Sequence, residues 1–323
     1  MKAIVLTAPN RLVMLDGPLP ILPPGRVRIR SVAVGICATD LEMIAGWERT
    51  TPPNIPGHEW SGRIDAVGAG VDSALVGKNC VAENVLTGGG EVGFEHPGAY
   101  GEYFLTEARN IHILPDNFLM NKAALIEPLA VVTRALKRLR LAKDQEVLIS
   151  GDGPIGLLSL MWLRQAGVEK IMLVGGREGR LALARTLGAT ATFNFMQLGS
   201  DLIPTLQKQA VGTFPIIVEA SGSAVGLENA LQIIAKQGQL LLIGDYQDAR
   251  ANFSWNRLIH GELTMMGSNA SAGAWDEAVK LAVEEHLPLE RLISHTFPAA
   301  RFEEAFTLVR SQQDDVVKVV LEW

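Results

Sequence analysis

The chain has 323 residues, which exceeds the usual length of a single domain and predicts two domains. Its 29 basic and 35 acidic side chains give a formal net charge of −6, which excludes the basic footprint of a nucleic-acid-binding protein. The two cysteines, Cys37 and Cys80, cannot form a disulfide framework and favour a reducing compartment. Since we find neither a signal-peptide pattern nor an apolar run of about 18 residues, we expect a cytoplasmic protein that does not span a membrane.

Residues 1–110 contain short β-type runs separated by glycine and proline, such as KAIVL, RVRIRSVAVG, GRIDAVGAG and AYGEYFLTE. This texture predicts a compact β-rich domain over residues 1–120. The stretch from Met120 to Leu139 is expected to be largely helical, with Pro128 marking a start or a kink near its front.

From residue 145 onward, short apolar strands alternate with helical stretches. This alternation is typical of βαβ units and of a parallel sheet covered on both faces. Strands are predicted at 145–151, 169–175, 191–195, 214–221, 238–245 and 262–268. Six strands in this order make a complete doubly wound, dinucleotide-binding α/β sheet, which we assign to residues 121–268. Residues 269–323 are too short for a domain and are predicted to return to the first one.

The sequence GDGPIG matches the G-x-G-x-x-G motif, and it follows the predicted strand EVLIS and opens a predicted helix. Gly151 would make the tight turn, Gly153 would let the backbone approach a pyrophosphate, and Gly156 would let helix and strand pack closely. Pro154 and Ile155 would begin the helix. An ordinary strand–helix turn is the alternative, but the six-strand context favours a cofactor site.

The end of the second strand of this sheet bears on which nicotinamide cofactor binds. NAD-binding sheets usually place an acidic residue there, whereas this strand ends in Gly175, Gly176 and Arg177, followed by Glu178 and Arg180. Glycine would leave room for a 2′-phosphate and a guanidinium could grip it, so NADP(H) is predicted. In the alternative, Glu178 binds the ribose and Arg177 is a solvated surface charge. The predicted cofactor site also includes Ser221 and Gly244.

Four residues in distant motifs could hold a metal ion: Cys37 in GICATD, His58 and Glu59 in IPGHEW, and Glu127 in ALIEPLA. A thiolate, an imidazole and two carboxylates form a ligand set that zinc accepts. Their separation along the chain leaves open whether they converge in space.

The motifs GICATD, GHEWSGRIDAVGAGV, LIEPLAV and GDGPIG, together with the six-strand block, cover essentially the whole chain. With these markers the sequence resembles the zinc-dependent medium-chain dehydrogenases, and most nearly their polyol branch of sorbitol, threonine and related dehydrogenases. The resemblance implies a GroES-like catalytic domain, a Rossmann domain and hydride transfer between NADP(H) and an alcohol or polyol, or its carbonyl counterpart. It also implies a homodimer or homotetramer, paired through the sheet edge at ELTMMGS.

By this resemblance, Cys37 and His58 match catalytic zinc ligands, and Thr39 matches the hydroxyl that passes a proton onward. Glu59 and Glu127 match acidic positions that bind or surround the metal. Which of the two is the direct zinc ligand is left open. Adjacent side chains on a regular strand point to opposite faces, so His58 and Glu59 can reach one ion only if the Pro56–Gly57 turn distorts the backbone.

Two departures from the family affect the expectations. Many members hold a second, structural zinc with four cysteines, but residues 82–100 of this chain contain no cysteine, so we expect one zinc per chain. Many relatives also place histidine where this chain has Glu42, which leaves the outer proton route uncertain. Trp47 and Trp60 are candidates to face the substrate or to lie in the core, and Asn269 is a weaker candidate. Cys80 is expected to be a buried apolar residue and His96 an ordinary polar one.

Two rival functions fit the same fold. One is a zinc-independent NADPH reductase of the quinone-reductase type, and the other is an NADP(H)-binding protein without catalysis. The combination of Cys37, Thr39, His58, Glu59 and Glu127 argues against both.

Overall fold

The computed structural model describes residues 1–210, 212–311, 313 and 316–323. They form two compact units, of which the first contains Met1–Ala130 and Ala272–Trp323 and the second contains Val131–Ser271. The domain limits predicted from the sequence, at residues 120 and 268, stay predictions. None of the helices in the described part of the chain is long and apolar enough to cross a membrane.

The strands are, in chain order, β1 (Lys2–Ala8), β2 (Arg11–Asp16), β3 (Arg26–Ile36), β4 (Glu59–Val67), β5 (Asn79–Ala82), β6 (Tyr103–Glu107), β7 (Ile111–Ile113), β8 (Glu146–Ser150), β9 (Lys170–Gly175), β10 (Ala191–Asn194), β11 (Phe214–Glu219), β12 (Ile234–Leu242), β13 (Thr264–Gly267), β14 (Ile293–Pro298) and β15 (Lys318–Glu322). The α-helices are α1 (Ala38–Ala45), α2 (Met120–Ala123), α3 (Ile126–Leu136), α4 (Pro154–Gln165), α5 (Glu178–Thr186), α6 (Phe195–Leu198), α7 (Leu202–Gln209), α8 (Ala224–Ile233), α9 (Trp255–Gly261), α10 (Trp275–Val283) and α11 (Phe302–Ser311).

The first unit is organised around strand β3. A seven-stranded sheet runs in the order β14-β15-β3-β4-β5-β7, with β6 pairing with the other half of β3, and β1 and β2 form a separate antiparallel pair. Strand β15 pairs with the C-terminal half of β3, from Ala33 to Ile36, and β6 pairs with the N-terminal half. The core of this unit includes Ile4, Leu6, Val27, Ile29, Ile64 and Phe104. The C-terminal strand is therefore an interior strand of the first unit.

The second unit is a parallel sheet in the order β10-β9-β8-β11-β12-β13. All six predicted strands are present and the α/β fold class is confirmed, with the largest shift at β12, which begins at Ile234 rather than at residue 238. The central strands β8 and β11 are almost fully buried, as their continuous apolar sequences indicate. Strand β13 forms one edge of the sheet.

The helix predicted over residues 120–139 is divided into α2 and α3. Pro128 is the third residue of α3, in the first turn, where proline is tolerated because an N–H group there has no partner within the helix. Glu127 precedes it in the same turn, which places a metal-ligand candidate at the front of α3.

Candidate metal centre and cofactor site

Cys37 lies between the end of β3 and the beginning of α1, as the N-cap residue of that helix. The backbone N–H of Cys37 donates to Asp40 Oδ2 at 2.8 Å, and Tyr100 donates its hydroxyl to the same oxygen at 2.9 Å. Asp40 and Tyr100 are completely buried. The Thr39 hydroxyl lies 3.6 Å from Cys37 Sγ. The strand–helix junction thus presents the thiol and the hydroxyl together on a fixed backbone.

His58 is positioned by a tight backbone approach at Gly57. Gly57 has a φ of +101°, a conformation that favours glycine, and a Cβ there would lie 2.8 Å from the Tyr100 backbone nitrogen. Gly93 and Gly98 pack against the Gly57 carbonyl so closely that neither could carry a Cβ without overlap. The carbonyl of His58 accepts from the Asn84 side chain at 2.8 Å. The backbone that leads to the His58 side chain is therefore held in place by contacts from several sides.

Glu59 is the first residue of β4, and its carboxylate is bound by a buried lysine. Lys318 Nζ donates to Glu59 Oε1 and Oε2 at 2.8 and 2.7 Å, and it also reaches the Ile36 carbonyl at 3.4 Å. A Cβ on Gly35 would overlap the same carboxylate, so the absence of a side chain there makes room for it. Sequence analysis missed Lys318, although a lysine between the two apolar pairs of VVKVV was the available signal.

One ligand atom each from Cys37, His58 and Glu59 lie within 4.8 Å of one another. Because β4 begins only at Glu59 and Gly57 is in a left-handed conformation, neighbouring side chains can reach the same point despite the alternation of a regular strand. Zinc–ligand bonds of about 2.0–2.3 Å fit a cluster of this size and donor chemistry. Glu127 lies outside this group, and burial raises the pKa of its carboxyl to about 7.

Negative groups surround the imidazole. His58 Nδ1 lies 3.4 Å from Asp40 Oδ1, an arrangement that fixes the orientation of a metal-binding ring. Burial lowers the pKa of His58, but the Asp40 carboxylate and the Cys37 sulfur raise it by more, so that it lies well above its usual value. Burial and the same carboxylate also raise the pKa of Tyr100. A buried site that attracts positive charge in this way suits a divalent cation.

The glycine motif adopts the geometry of a dinucleotide-binding turn. Gly151 has a φ of +122°, and a Cβ there would overlap the backbone that follows β11. Gly153 is the N-cap residue of α4 and has no atom within 4 Å of a Cβ built on it, which leaves the approach to the helix N-terminus open. A Cβ on Gly156 would overlap the Gly151 carbonyl. Pro154 and Ile155 begin α4.

The end of β9 is occupied by a carboxylate from the glycine motif itself. Asp152 Oδ2 accepts from the backbone N–H groups of Gly176 and Arg177, each at 2.9 Å. A Cβ on Gly175 would lie 2.5 Å from the Asp152 Cβ, so the room that this glycine creates is filled by the aspartate. Sequence analysis did not consider Asp152, because the motif leaves its second position unspecified.

The two charged residues at the start of α5 have different surroundings. Glu178 accepts from Arg185 at 2.8 Å and is exposed, and this pairing lowers the pKa of its carboxyl. Arg180 is buried, with Nη1 at 3.9 Å from Asp152 Oδ1. Arg180 thus faces the Asp152 carboxylate, whereas Glu178 contacts its own helix.

Ser221 and Gly244 lie close to Glu219, the last residue of β11, to whose backbone carbonyl the Gly244 N–H donates at 3.1 Å. Glu219 is completely buried and accepts from the backbone N–H groups of Ser221 and Gly222 at 3.1 and 3.2 Å, and from the hydroxyls of Ser221 and Tyr246. A Cβ on Gly244 would overlap the Gly222 nitrogen. The two strand-end turns are therefore held together by one acidic side chain.

The remaining candidate residues from the sequence have different surroundings. Trp47 lies edge-on to Phe94, with ring centroids 6.3 Å apart, and the Phe94 ring is tilted against the His58 ring, with centroids 4.6 Å apart. Trp60 is a core residue that donates to the Asn84 side chain at 2.9 Å. Cys80 is buried in the core, His96 contacts the Gly89 carbonyl at 3.0 Å, and Asn269 is exposed in the second unit.

Two family models match the chain, one described as an alcohol dehydrogenase GroES-like domain, over residues 23–116, and one described as a zinc-binding dehydrogenase, over residues 154–284. A D-arabitol-phosphate dehydrogenase from Enterococcus avium is 28% identical over 346 residues, covering 100% of this chain and 97% of the relative. An L-threonine 3-dehydrogenase from Anaeromyxobacter sp. (strain Fw109-5) is 29% identical over 349 residues, covering 100% and 99%. The crystal structure of galactitol-1-phosphate dehydrogenase from Escherichia coli gives a TM-score of 0.87 at 26% identity, over 100% of both chains.

We predict that Cys37→Ala abolishes zinc retention while leaving nicotinamide-cofactor binding nearly intact, because the thiol belongs to the donor cluster and not to the glycine turn. Cys80→Ala is the matched control, since the Cys80 thiol is buried in the core and burial raises its pKa. Metal analysis after dialysis and fluorescence titration with the cofactor measure the two properties. Full zinc content in the Cys37→Ala protein would contradict the assignment.

We predict that Lys318→Met lowers the free energy of unfolding by about 3–5 kcal/mol, because it leaves the buried Glu59 carboxylate without its cation. The double change Glu59→Leu with Lys318→Met should recover much of that loss, since an apolar pair needs no compensating charge.

Lys170→Met serves as the control for this series, because Lys170 is exposed and its Nζ pairs at 3.1 Å with Glu146, so that this pair should contribute less than about 1 kcal/mol. Urea unfolding of the metal-free proteins gives all three values. A cost for Lys318→Met no larger than that of the control would show that the buried pair is not a major source of stability.

Proposed function

Because the chain belongs to the zinc-dependent medium-chain dehydrogenases, in their polyol branch, we propose that it transfers hydride between NADP(H) and an alcohol or polyol, or the carbonyl counterpart. The observation that carries this proposal is the convergence of thiol, imidazole and carboxylate donors from Cys37, His58 and Glu59. In the same chain, the G-x-G-x-x-G turn opens α4 at the end of a parallel strand, as dinucleotide sites require.

One zinc ion per chain would be held by Cys37 and His58, with Glu59 and Glu127 as the carboxylates of the set. When bound, zinc would supply a Lewis acid for the substrate oxygen. Asp40 orients the His58 ring through its contact with Nδ1, and Lys318 holds Glu59 in place. We propose that Glu59 and Glu127 share the role of carboxylate ligand. Because Lys318 already engages both Glu59 oxygens, a position at the metal remains for Glu127.

The Thr39 hydroxyl would pass the proton of the substrate alcohol onward, accepting it on its oxygen while giving up its own hydroxyl proton to water. Its oxygen lies 3.6 Å from Cys37 Sγ, at the first turn of α1, so the hydroxyl belongs to the same fixed junction as the donor cluster. Position and proton transfer are the contributions of the protein, whereas the hydride chemistry belongs to the cofactor.

The surroundings of His58 favour an uncharged substrate. Arg49 lies over the rings of Phe94 and Trp47, with its Cζ 4.8 and 5.3 Å from their centroids, and Phe94 packs against His58. The guanidinium could in principle bind a phosphate.

Two carboxylates already occupy this guanidinium, however. Arg49 donates to Glu95 at 2.7 Å and to Glu91 at 2.8 Å, so that the three side chains together carry a formal charge of −1. A group of this kind repels a phosphate ester. We therefore propose a polyol or simple alcohol without phosphate, although the arabitol-phosphate and galactitol-phosphate dehydrogenases are among the relatives.

The preference for NADP(H) rests on the cations at the end of β9. No acidic side chain follows the strand directly, and Arg177 and Arg180 lie at the start of α5, where their positive charge would favour a 2′-phosphate. The Asp152 carboxylate opposes this preference, because it lies at the same strand end. The residues proposed to bind the carrier are Gly151, Gly153, Pro154, Ile155, Gly156, Gly175, Gly176, Arg177, Arg180, Ser221 and Gly244.

A zinc-independent reductase of the quinone type and a non-catalytic NADP(H)-binding protein are the rival proposals. Both would leave the buried donor cluster without a role, which is why we favour metal-dependent catalysis. A homodimer or homotetramer paired through the exposed edge strand β13, and a cytoplasmic location, complete the proposal.

We predict NADP⁺-dependent oxidation of an uncharged polyol or alcohol, lost on chelation and restored by zinc. In a panel of sorbitol, arabitol, 2,3-butanediol, threonine and sorbitol 6-phosphate, kcat/KM for the best uncharged substrate should exceed that for the phosphate ester by about tenfold or more. Glu95→Gln should reduce this discrimination, and Glu48→Gln, at an exposed neighbouring position, should not. Better turnover of the phosphate ester by the wild type would refute the proposed substrate class, and full activity without metal would refute the zinc mechanism.

We predict tighter binding of NADPH than of NADH to the metal-loaded protein, because two guanidinium groups stand at the strand end that faces the adenosine ribose. Fluorescence titration with both reduced carriers measures the two dissociation constants. If NADH binds more tightly, the preference is wrong, although the fold and the metal centre are unaffected.

A further inference from the structure

We infer that Asp152 determines how strongly the site discriminates between the two nicotinamide carriers, by placing a carboxylate where the 2′-phosphate of NADP(H) would bind. The inference rests on the proposed binding of a nicotinamide dinucleotide at the glycine turn. It does not depend on which of the two carriers the wild-type protein prefers.

The Asp152 side chain spans the gap between two neighbouring strands. Its backbone belongs to the turn after β8, and its Cβ and carboxyl group fill the space beside Gly175 at the end of β9. Oδ2 accepts from two consecutive backbone N–H groups, those of Gly176 and Arg177, both at 2.9 Å. Arg177 is the N-cap residue of α5, a helix of nine residues.

Consecutive backbone N–H groups at the N-terminus of a helix form a site for anions. In a dinucleotide-binding sheet, the end of the second strand is also where the adenosine ribose and any 2′-phosphate lie. Here the two N–H groups already bind an anion that belongs to the protein. A 2′-phosphate would have to share these donors with a carboxylate of the same charge, whereas a ribose hydroxyl could donate a hydrogen bond to it.

The Arg180 guanidinium also interacts with the Asp152 carboxylate. Arg180 Nη1 lies 3.9 Å from Asp152 Oδ1, and both residues are buried, so water screens their attraction weakly. A 2′-phosphate would therefore compete with Asp152 for Arg180 as well as for the backbone donors. Both competitions lower the affinity for NADP(H) relative to NAD(H).

Glu178 is the acidic residue that a sequence comparison would choose for the ribose, but it accepts from Arg185 and is exposed. Asp152 thus supplies from the first strand the carboxylate that is usually found at the end of the second. This makes the second position of the glycine motif a specificity-determining position in this chain.

The test compares Asp152→Asn with Glu178→Gln. Asparagine retains an oxygen that can accept from Gly176 and Arg177 but removes the charge. The ratio of dissociation constants, NADH to NADPH, should rise about tenfold in Asp152→Asn and change less than twofold in Glu178→Gln. Adenosine 2′,5′-bisphosphate and 5′-AMP, titrated by calorimetry, should show the same relative shift, because the effect is confined to the 2′-phosphate.

Asp152→Ser provides a second uncharged variant, and thermal unfolding identifies the variants that remain folded. An unchanged ratio in folded Asp152→Asn and Asp152→Ser proteins, or a shift in Glu178→Gln instead, would overturn the inference. A wild-type preference for NADH together with the predicted shift would disprove only the proposed NADP(H) preference. If the wild type binds neither carrier, both the proposed function and this inference fail.

Discussion

The buried ion pair between Lys318 and Glu59 is the interaction on which the first unit depends most. The ammonium group reaches the carboxylate only because β15 pairs with the half of β3 that ends at Ile36, immediately before Cys37. Removing two charges from water is costly, and the pair is tolerable because each partner compensates the other. The donor cluster and the C-terminal strand are therefore joined by this ion pair, which forms only when the chain has returned to the first unit.

A corresponding constraint operates at the dinucleotide turn of the second unit. Gly151, Gly156 and Gly244 allow backbone segments to approach more closely than any side chain would permit. The acidic groups of Asp152 and Glu219 then bind the backbone N–H groups that these close turns leave pointing toward the strand ends. Glycine residues thus determine the backbone conformation at the strand ends, and the two buried carboxylates determine the local charge.

The sequence predicted the parts of the structure that depend on local pattern. Fully buried parallel strands are continuous apolar runs, so β8, β9 and β11 could be recognised, and Pro154 after the glycine turn indicated the start of α4. Cys37, His58 and Glu59 could be nominated by chemistry and by resemblance, but their convergence depends on Gly57 and its contacts with a distant segment. The partners of Lys318 and Asp152 could not be predicted, because they are far away in the chain and no local pattern specifies such pairs.

The contact of Gly93 and Gly98 with Gly57 has a consequence for how this region can change. The segment that contains Gly93 and Gly98 touches the backbone immediately before the imidazole, with no space for even one methyl group. An insertion or a bulky replacement in that segment would be transmitted directly to the ring position. Exchanging this segment for a longer one would therefore require rebuilding the histidine loop at the same time, so the two segments must evolve, or be engineered, as a single piece.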